Sequence, residues 1–219
     1  MDILIVTATE KELQKTQTRI ELWNKGNLHH HYFFLVSGVG IARSTFSVTK
    51  ALLAHRYDLV IQLGVAGSYT RAIPVGEVVW VTRDGFCDLG ASTIKGFLNL
   101  KELNLAEENL EVDFKPELCK NIPLPETLKK VEAVTSDTIH NHPDRISEIS
   151  KTLHPDVESM EGASIMAVCN QLNVPNLQVR AISNIVAPRD ENLWNLELAL
   201  TALDQWFISY LENLESSAL

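Results

Sequence analysis

The stretch LVIQLGVAGSY, residues 59–69, decides the fold class of this chain. Its first part, residues 59–63, is mainly apolar, which is typical of a strand that is buried on both faces of a sheet. The glycines of GVAGSY then predict a tight turn in which the backbone can approach a ligand closely. The stretch therefore predicts a central strand of an α/β sheet, with a ligand site beyond its carboxyl end.

Similar runs recur along the chain, at residues 3–8, 32–36, 77–82, 131–135 and 177–182. Helical patterns alternate with these runs: one begins after Thr9, and the others cover residues 42–55, 144–153, 161–172 and 193–214. The last pattern carries apolar side chains at helical spacing, which are Leu196, Leu200, Leu203, Phe207, Leu211 and Leu214. The alternation predicts one α/β domain over residues 1–219, with a twisted, mixed but mostly parallel sheet and helices on both faces.

The composition is that of a globular protein with a sizeable core, since 45% of the 219 residues are hydrophobic and 21% are charged. The formal net charge is −9, and no run of basic residues stands out. Nucleic acids and anionic membrane surfaces are bound by clustered Lys and Arg, so the composition argues against both partners. No stretch approaches the roughly 18 apolar residues that a membrane-spanning helix needs.

The cysteine pattern predicts a reducing compartment and a cytoplasmic location. Cys87, Cys119 and Cys169 are odd in number and widely spaced, which argues against a disulfide framework or a zinc site. The three adjacent histidines at 29–31 cannot all face one ion from a strand, so we expect no metal. The amino-terminal MDILIVTATEKE lacks the basic segment of a secretory signal.

Residues 95–126 form the least regular segment, with several acids and three prolines. A long irregular excursion inside a compact domain is more often a functional loop or an insertion than a linker. We therefore expect this segment to belong to the same domain and to contribute to function.

Polar and glycine-rich motifs follow several of the predicted strands, where an α/β sheet holds its ligand. In chain order they are ATEKE (8–12), SGVG (37–40), QLGVAGS (62–68) with VGEVV (75–79), TSD (135–137), MEGASI (160–165) and RAISN (180–184). Singly these motifs are weak signals, but together they resemble the purine nucleoside phosphorylase/hydrolase superfamily. The nearest branch is the nucleosidases, which cleave an N-glycosidic bond with water. The resemblance spans the chain and implies a nucleoside phosphorylase-like fold, a nucleoside substrate and no cofactor.

The resemblance implies roles for two carboxylates. Glycosidic cleavage passes through a sugar with oxocarbenium character, so the enzyme must activate water, hold the ribose and stabilise the departing base. Glu12 matches the carboxylate that activates the water, although locally it is also the third helical residue of a capping box that begins at Thr9. Glu161 matches the carboxylate that binds the ribose hydroxyls, and Met160 matches a residue packed against the sugar. Locally these two would be a helix-start acid and a core methionine.

Arg180 and Ser37 match residues that orient the attacking water. Arg180 lies in an otherwise apolar predicted strand, and a buried arginine needs a partner. A structural ion pair is therefore the alternative interpretation of Arg180.

Four more positions match residues around the base. Ala66 and Gly67 match the tight turn whose backbone approaches the ligand. Ile139 and His140 match positions that cover the purine face and bond to it through backbone. From its local sequence alone, His140 would be a surface loop residue.

The same motifs favour hydrolysis over phosphorolysis. A phosphorylase needs cationic and hydroxyl groups to hold phosphate. Where hexameric phosphorylases carry such an Arg and Ser, this chain has Gln62 and Val65, and TATEKE replaces their glycine-rich phosphate loop. Loss of the phosphate ligands, with Glu12 kept at the water position, predicts a hydrolase.

Asn184 stands where adenine-specific nucleosidases carry an Asp that protonates the base. An amide cannot deliver a proton, so a poor leaving group such as adenine would lose its general acid. The N7 and O6 atoms of a 6-oxopurine are both acceptors, and the two donors of an Asn amide can bridge them. Ser183 is placed to orient that amide, so the sequence predicts a 6-oxopurine substrate.

RAISN is followed here by Arg189, Asp190 and Trp194, and this pattern resembles the futalosine hydrolase branch of the family. The resemblance implies release of hypoxanthine in a route to menaquinone. The 5′ side of futalosine ends in a carboxyphenyl group, which a cation and an aromatic ring would suit. The sequence favours a different interpretation of these residues, a surface Arg paired with Asp190 and a core Trp at a helix start.

Three alternatives remain open at this point. A 5′-methylthioadenosine/S-adenosylhomocysteine nucleosidase would keep Glu12, but Asn184 argues against it. An inosine-type phosphorylase is opposed by Gln62 and Val65. A silent nucleoside binder is opposed by the joint presence of catalytic-type residues. The nucleosidase relatives are usually homodimers, so we expect a homodimer or higher homo-oligomer, with residues 95–126 as a candidate for closing the partner's site.

Overall fold

The computed structural model describes residues 1–23, 29–94, 96–106, 111–187 and 194–216. The strands in these ranges are β1 Asp2–Thr7, β2 His31–Val36, β3 Leu59–Ser68, β4 Val78–Gly85, β5 Gly90–Thr93, β6 Gly96–Asn99, β7 Glu111–Asp113, β8 Lys129–Thr135, β9 Val157–Ser159 and β10 Asn176–Ile185. The α-helices are α1 Glu10–Trp23, α2 Ile41–Ala54, α3 Pro143–Thr152, α4 Gly162–Gln171 and α5 Leu196–Ser216. Every predicted strand and helix is confirmed, whereas β5, β6, β7 and β9 were not predicted because each is only three or four residues long.

The main sheet has the order β10-β4-β8-β9-β3-β1-β2, with β7 added beside β4. Strand β10 also pairs with β3, so β3, β10, β4, β8 and β9 form a closed ring of pairings. Most pairs are parallel, but β10–β4, β3–β9 and β4–β7 are antiparallel. The predicted fold class, a mixed and mostly parallel α/β sheet, is confirmed.

Both faces of the sheet are buried, as the unbroken apolar runs predict. On one face Ile3 and Ile5 pack with Phe207 of α5, in a cluster that also contains α1 side chains. On the other face Leu4 and Val6 pack with side chains of α2 and α4. Successive residues of β1 thus pack into opposite helical layers. Both faces of the strand are buried, so its sequence does not alternate between apolar and polar residues.

One predicted turn and one predicted strand end are wrong, and both differences matter for the site. Ala66 and Gly67 do not form a tight turn but lie within β3, which continues to Ser68. Likewise Ser183 and Asn184 lie within β10 rather than beyond its end. Both strands are longer than their apolar runs because they pair with each other along their whole length, and β9 pairs with the end of β3.

The helix predicted over 161–172 begins at Gly162, and Glu161 is its N-cap residue. The residues just before it, Val157–Ser159, form the short strand β9. The irregular segment also carries structure, since β6 pairs with β5 in a separate two-stranded sheet and β7 joins the main sheet. A 3-10 helix follows at Pro116–Leu118.

Cys87, Cys119 and Cys169 are free and buried. Within the described ranges, no group of three or more potential ligands is arranged to hold a metal ion. No helix in those ranges has the length and apolar character needed to cross a membrane.

Candidate active site

A cavity of about 550 Å³ opens at the carboxyl ends of β1, β3 and β10. It is lined by Ala8, Thr9, Glu10, Lys11, Glu12, Val39, Val65, Ala66, Gly67, Ile139, Glu158, Ser159, Met160, Glu161, Ser183, Asn184, Trp194, Leu196 and Leu200. A depression of about 580 Å³ lies at the opposite ends of β3 and β10, lined by residues 52–58 and 172–175, and includes none of the predicted site residues. The first cavity is therefore the candidate active site.

Most predicted site residues line this cavity: Glu12, Ala66, Gly67, Ile139, Met160, Glu161, Ser183 and Asn184. Three do not, namely Ser37, Arg180 and His140. All three are buried. They can therefore affect a bound molecule only by extending between the lining residues or by fixing the position of a lining residue.

Glu12 makes the capping contact that its local sequence predicts, and it also lines the cavity. Its Oε2 accepts hydrogen bonds from the backbone N–H and the hydroxyl of Thr9, each at 2.9 Å, which caps the start of α1. Its Oε1 accepts a bond of 3.2 Å from the backbone N–H of Val65 in β3. The capping contact and the strand contact together fix the carboxylate in one orientation at the cavity wall.

Arg180 approaches the same place from the neighbouring strand. A Cβ added to Gly64 would overlap Nη1 of Arg180 and would lie only 3.0 Å from Oε1 of Glu12. Only a glycine at position 64 lets these two side chains converge. Gly64 is thus a site residue that the sequence analysis missed, although its place in GVAG, two residues before Ala66, was a usable signal.

The guanidinium of Arg180 is buried and incompletely paired. Its side chain is 1% exposed, and Nη1 lies 4.0 Å from Oε2 of Glu161. Nε and Nη2 have no hydrogen-bond partner among the described residues. Unsatisfied buried donors are costly, so an arginine with a purely structural role would be expected to have them paired. Two unpaired donors beside two carboxylates favour a role in binding a ligand over a structural ion pair.

Glu161 is positioned by the start of α2. Its Oε1 accepts a 3.0 Å bond from the backbone N–H of Gly40, while the next amide, of Ile41, donates to Asp137 at 2.7 Å. Gly40 has φ 93, and a Cβ there would press against Asp137, so the last glycine of SGVG is required by geometry. Burial raises the pKa of Glu161 above its ordinary value, and the charge of Arg180 opposes that shift.

Asn184 reaches the cavity through a β-bulge. The register of β10 against β3 shifts between Ile182 and Asn184, so Ser183 is the extra residue and both it and Asn184 face the cavity. The hydroxyl of Ser183 donates to Oδ1 of Asn184 at 2.8 Å. With its oxygen held in this way, Nδ2 of Asn184 lies 3.1 Å from the position that a Cβ of Gly67 would take. The NH₂ group also donates a long bond of 3.3 Å to the backbone carbonyl of Ile185.

Ser37 and His140 are tied into the protein. The Ser37 hydroxyl has backbone acceptors at Thr7 and Gly38, at 3.2 and 3.1 Å. His140 is buried rather than on the surface, and its Nδ1 lies 2.5 Å from Oε2 of Glu158. Its backbone N–H also faces Glu158, at 3.5 Å.

The apolar end of the cavity was only partly foreseen. Trp194 lines it and is 39% exposed, so the interpretation of Trp194 as a core residue is wrong. Leu196 and Leu200 begin the apolar stripe of α5 but line the cavity, whereas Leu203 and later members are buried in the core. Arg189 and Asp190 lie outside the described residues.

A buried acid, Asp84, lies outside the cavity lining and is linked by hydrogen bonds to the start of α4. Asp84 is fully buried and accepts bonds from Gln178 at 2.9 Å and Thr135 at 3.0 Å. Burial raises its pKa to about 6, against the opposing effect of these bonds. Thr135 in turn accepts from the backbone of Ala163, so this network fixes the start of α4, next to Glu161.

A mixed α/β sheet whose strand ends bring together two carboxylates, an arginine and an amide defines an enzyme-like pocket for a small polar molecule. Residues 2–212 match the family model described as the Phosphorylase superfamily. The chain belongs to that superfamily, as its motifs predicted.

The chain is similar to relatives with two different named activities. Futalosine hydrolase of Streptomyces coelicolor is 33% identical over 184 residues, covering 77% of this chain and 74% of the relative. The 5′-methylthioadenosine/S-adenosylhomocysteine nucleosidase of Bacillus cytotoxicus is 27% identical over 217 residues, covering 88% and 89%. Among solved structures, a futalosine hydrolase mutant of Helicobacter pylori superposes with a TM-score of 0.78 at 20% identity, over 98% of this chain and all of that chain, which supports the fold.

Proposed function

We propose that this protein is an N-ribosyl hydrolase that cleaves futalosine to hypoxanthine and dehypoxanthine futalosine. The protein is an enzyme of the nucleosidase type, a glycosidase that hydrolyses an N-glycosyl bond. The observation that carries the choice of base is Asn184, whose NH₂ group faces Gly67 in the cavity while Ser183 holds its oxygen. The relative from Streptomyces coelicolor supports the choice of substrate.

In the proposed reaction Glu12 takes a proton from water as the water oxygen bonds to C1′ of the ribose. The electrons of the C1′–N9 bond pass to the purine, where they spread toward N7 and O6. Asn184 stabilises that charge by donating hydrogen bonds to these two atoms. The purine anion takes a proton from solvent after the C1′–N9 bond has broken, so no protein acid is needed at this position.

The ribose lies between the two carboxylates in this proposal. Glu161 accepts bonds from the ribose hydroxyls, with Met160 packed against the sugar, and Arg180 supports Glu161 from behind. As positive character develops on the ribose, the buried carboxylate of Glu161 and the half-buried carboxylate of Glu12 stabilise it more strongly than they would in water. Ala66 and Gly67 contribute backbone, and Ile139, which also lines the cavity, covers the base.

Hydrolysis is favoured over phosphorolysis by the charges around the cavity. Within the described ranges, Lys11 is the only Lys or Arg among the lining residues, and it lies at the exposed edge. Gln62 is buried rather than facing the cavity, and Val65 offers no hydroxyl. A phosphate dianion would therefore find few ligands there.

The first test is product analysis by chromatography without phosphate. Incubation with futalosine, inosine and 5′-methylthioadenosine in parallel should give hypoxanthine from futalosine at the highest rate. Strict dependence on added phosphate would contradict hydrolysis. Adenine released from methylthioadenosine at a comparable or greater rate would instead favour the second candidate, a 5′-methylthioadenosine/S-adenosylhomocysteine nucleosidase, which the Bacillus cytotoxicus relative supports.

The apolar end of the cavity suits the carboxyphenyl tail. Trp194 offers an aromatic surface beside Leu196 and Leu200, and Lys11 offers a cation at the same cavity. We expect Trp194→Ala and Lys11→Met each to lower kcat/KM for futalosine by roughly tenfold, the loss of about one interaction, and to affect inosine much less. Steady-state kinetics with both substrates measures this difference. Phe46→Ala is the matched control, since Phe46 is an exposed aromatic on α2 outside the cavity lining; equal losses for both substrates would contradict the assignment.

Assembly and location remain predictions. We expect a homodimer in the cytoplasm, with residues 95–126 close to the partner's cavity, because none of the described residues in that segment lines the cavity of its own subunit. Light scattering of the purified protein measures the subunit count.

A further inference from the structure

We propose that Glu158 is a specificity-determining residue, whose carboxylate accepts a hydrogen bond from N1–H of a 6-oxopurine while Asn184 donates to the other side of the base. This inference rests on the proposed function and deepens it. Glu158 lines the cavity and is only 8% exposed, yet neither the motifs nor the proposed reaction uses it.

The sheet brings Glu158 and Asn184 into one row. Gly67 of β3 pairs with Glu158 of β9 on one side and with Asn184 of β10 on the other. Neighbouring strands are about 4.8 Å apart, so the two outer Cα atoms are separated by roughly 10 Å. Gly67 has no side chain, and a Cβ there would lie 2.8 Å from Val186 and 3.1 Å from Nδ2 of Asn184. The glycine therefore lets the Asn184 amide lie close to the middle strand of the row, in the cavity that Glu158 also lines.

The carboxylate of Glu158 is held by two donors that leave one oxygen available. Oε2 accepts from the Tyr69 hydroxyl at 2.8 Å and from Nδ1 of His140 at 2.5 Å. Among the described residues, Oε1 has only the long 3.5 Å contact with the backbone of His140. Burial and the charge of Glu158 raise the pKa of Tyr69, which keeps the phenol protonated as a donor. The available acceptor is Oε1.

This arrangement complements a 6-oxopurine and opposes adenine. A 6-oxopurine offers acceptors at N7 and O6 and a donor at N1, whereas adenine offers a donor amino group and an acceptor at N1. Asn184 supplies donors and Glu158 an acceptor, in the order that the 6-oxopurine edge requires. With adenine the lone pair of N1 would face a buried carboxylate, and an unmatched buried polar pair is strongly disfavoured.

The test compares two substrates that differ only in the base. We expect Glu158→Gln to lower kcat/KM for futalosine by roughly 30-fold and to lower it less, or raise it, for the 6-amino counterpart, because the amide can turn its NH₂ toward N1 of adenine. The ratio of the two kcat/KM values should fall by at least tenfold. Inosine and adenosine form a second pair, which tests the base without the tail.

The outcomes separate this inference from the proposed function. An equal loss for both bases would show that Glu158 only supports His140 and Tyr69, and would overturn the inference while leaving futalosine hydrolysis intact. A shifted ratio with inosine and adenosine, but no cleavage of futalosine by the wild type, would reject the substrate and keep the inference. A wild type without preference for 6-oxopurines would overturn the inference.

Two further variants guard against misfolding. Tyr69→Phe removes one donor from Glu158 without touching the cavity lining, and we expect a smaller shift of the ratio in the same direction. Glu132→Gln is the matched control, because Glu132 is an exposed glutamate of β8 outside the cavity lining, and the ratio should equal that of the wild type. If Tyr69→Phe folds and leaves the ratio unchanged while Glu158→Gln does not fold, the inference is also rejected.

Discussion

Glu12→Gln should reduce kcat for futalosine by about 10³-fold, within the range of roughly 10²–10⁴ that a positioned general base contributes. The substituted amide has nearly the same shape, but it cannot accept the proton that water must lose. The expected effect is therefore on the chemical step, while the substrate still binds. Loss of kcat with an unchanged Kd would identify Glu12 as acting in the transition state.

The local structure limits side effects of this substitution. The oxygen of the amide can still accept from the backbone N–H of Thr9, but its NH₂ group would then face the backbone N–H of Val65, which is also a donor. One lost hydrogen bond costs about 1 kcal/mol of folding free energy, which the fold should tolerate. A small decrease in Tm is therefore expected.

Steady-state kinetics, calorimetric binding of futalosine and thermal unfolding together measure these effects. Glu132→Gln again serves as the control, since it makes the same chemical change on the exposed side of β8. Turnover by Glu12→Gln within about threefold of the wild type would contradict the assignment of Glu12 as the base. Binding without turnover in the wild type would instead support the silent nucleoside binder.

The sequence predicted the layers of this fold well because its signals are local. The run at 59–63 is apolar because β3 has helices on both faces, and the α5 stripe is apolar because Phe207 and its neighbours cover the sheet. Such periodicity depends only on the burial of each residue. The short strand β9 carries no such signal, because three residues cannot establish a period and its pairing partners lie far away in the chain.

Site residues were predictable where a single motif contains both the residue and the hydrogen-bond partner that positions it. Glu12 with Thr9, and Ser183 with Asn184, are pairs close in sequence, and the structure keeps each pair hydrogen-bonded. Glu158 was not among the predicted site residues, because only the pairing of β9 with β3 places it beside Gly67 and at the cavity.

The interpretation of GVAG as a turn was wrong for the same reason. Gly64 and Gly67 lie within β3, and their lack of a side chain makes room for groups from other segments. At Gly64 these groups are Arg180 and Glu12, and at Gly67 the group is Asn184. A glycine that permits a turn and a glycine that permits close approach are identical in sequence. Only the pairing partners distinguish them.

Asn184→Asp should change the preferred base from a 6-oxopurine to a 6-aminopurine. The buried position raises the pKa of a carboxyl group, so the new side chain would be protonated in part and could donate a proton to N7 of adenine. We expect kcat/KM for the 6-amino counterpart of futalosine to rise at least tenfold. For futalosine it should fall about 10²-fold, because an ionised carboxylate would face O6 and N7, which are both acceptors.

Activity of this variant on the 6-amino substrate should also increase as the pH falls. A general acid acts in its protonated form, and the protonated fraction of a carboxyl with a raised pKa grows on acidification toward that pKa. The wild type has an amide at this position, which does not titrate, so it should lack this acidic increase. A pH series of kcat/KM with both substrates separates the two behaviours.

Asn184→Ala is the companion variant, because it removes both donors and adds no acid. We expect it to lose roughly 10²–10³-fold in kcat for futalosine, as when a donor to a developing anion is removed, and to gain nothing with the 6-amino substrate. If Asn184→Asp and Asn184→Ala lost futalosine activity equally and neither gained the amino substrate, Asn184 would bind the base without selecting it. We would then expect Glu158 to select the base, since it is the other polar side chain in the row with Gly67 and also lines the cavity.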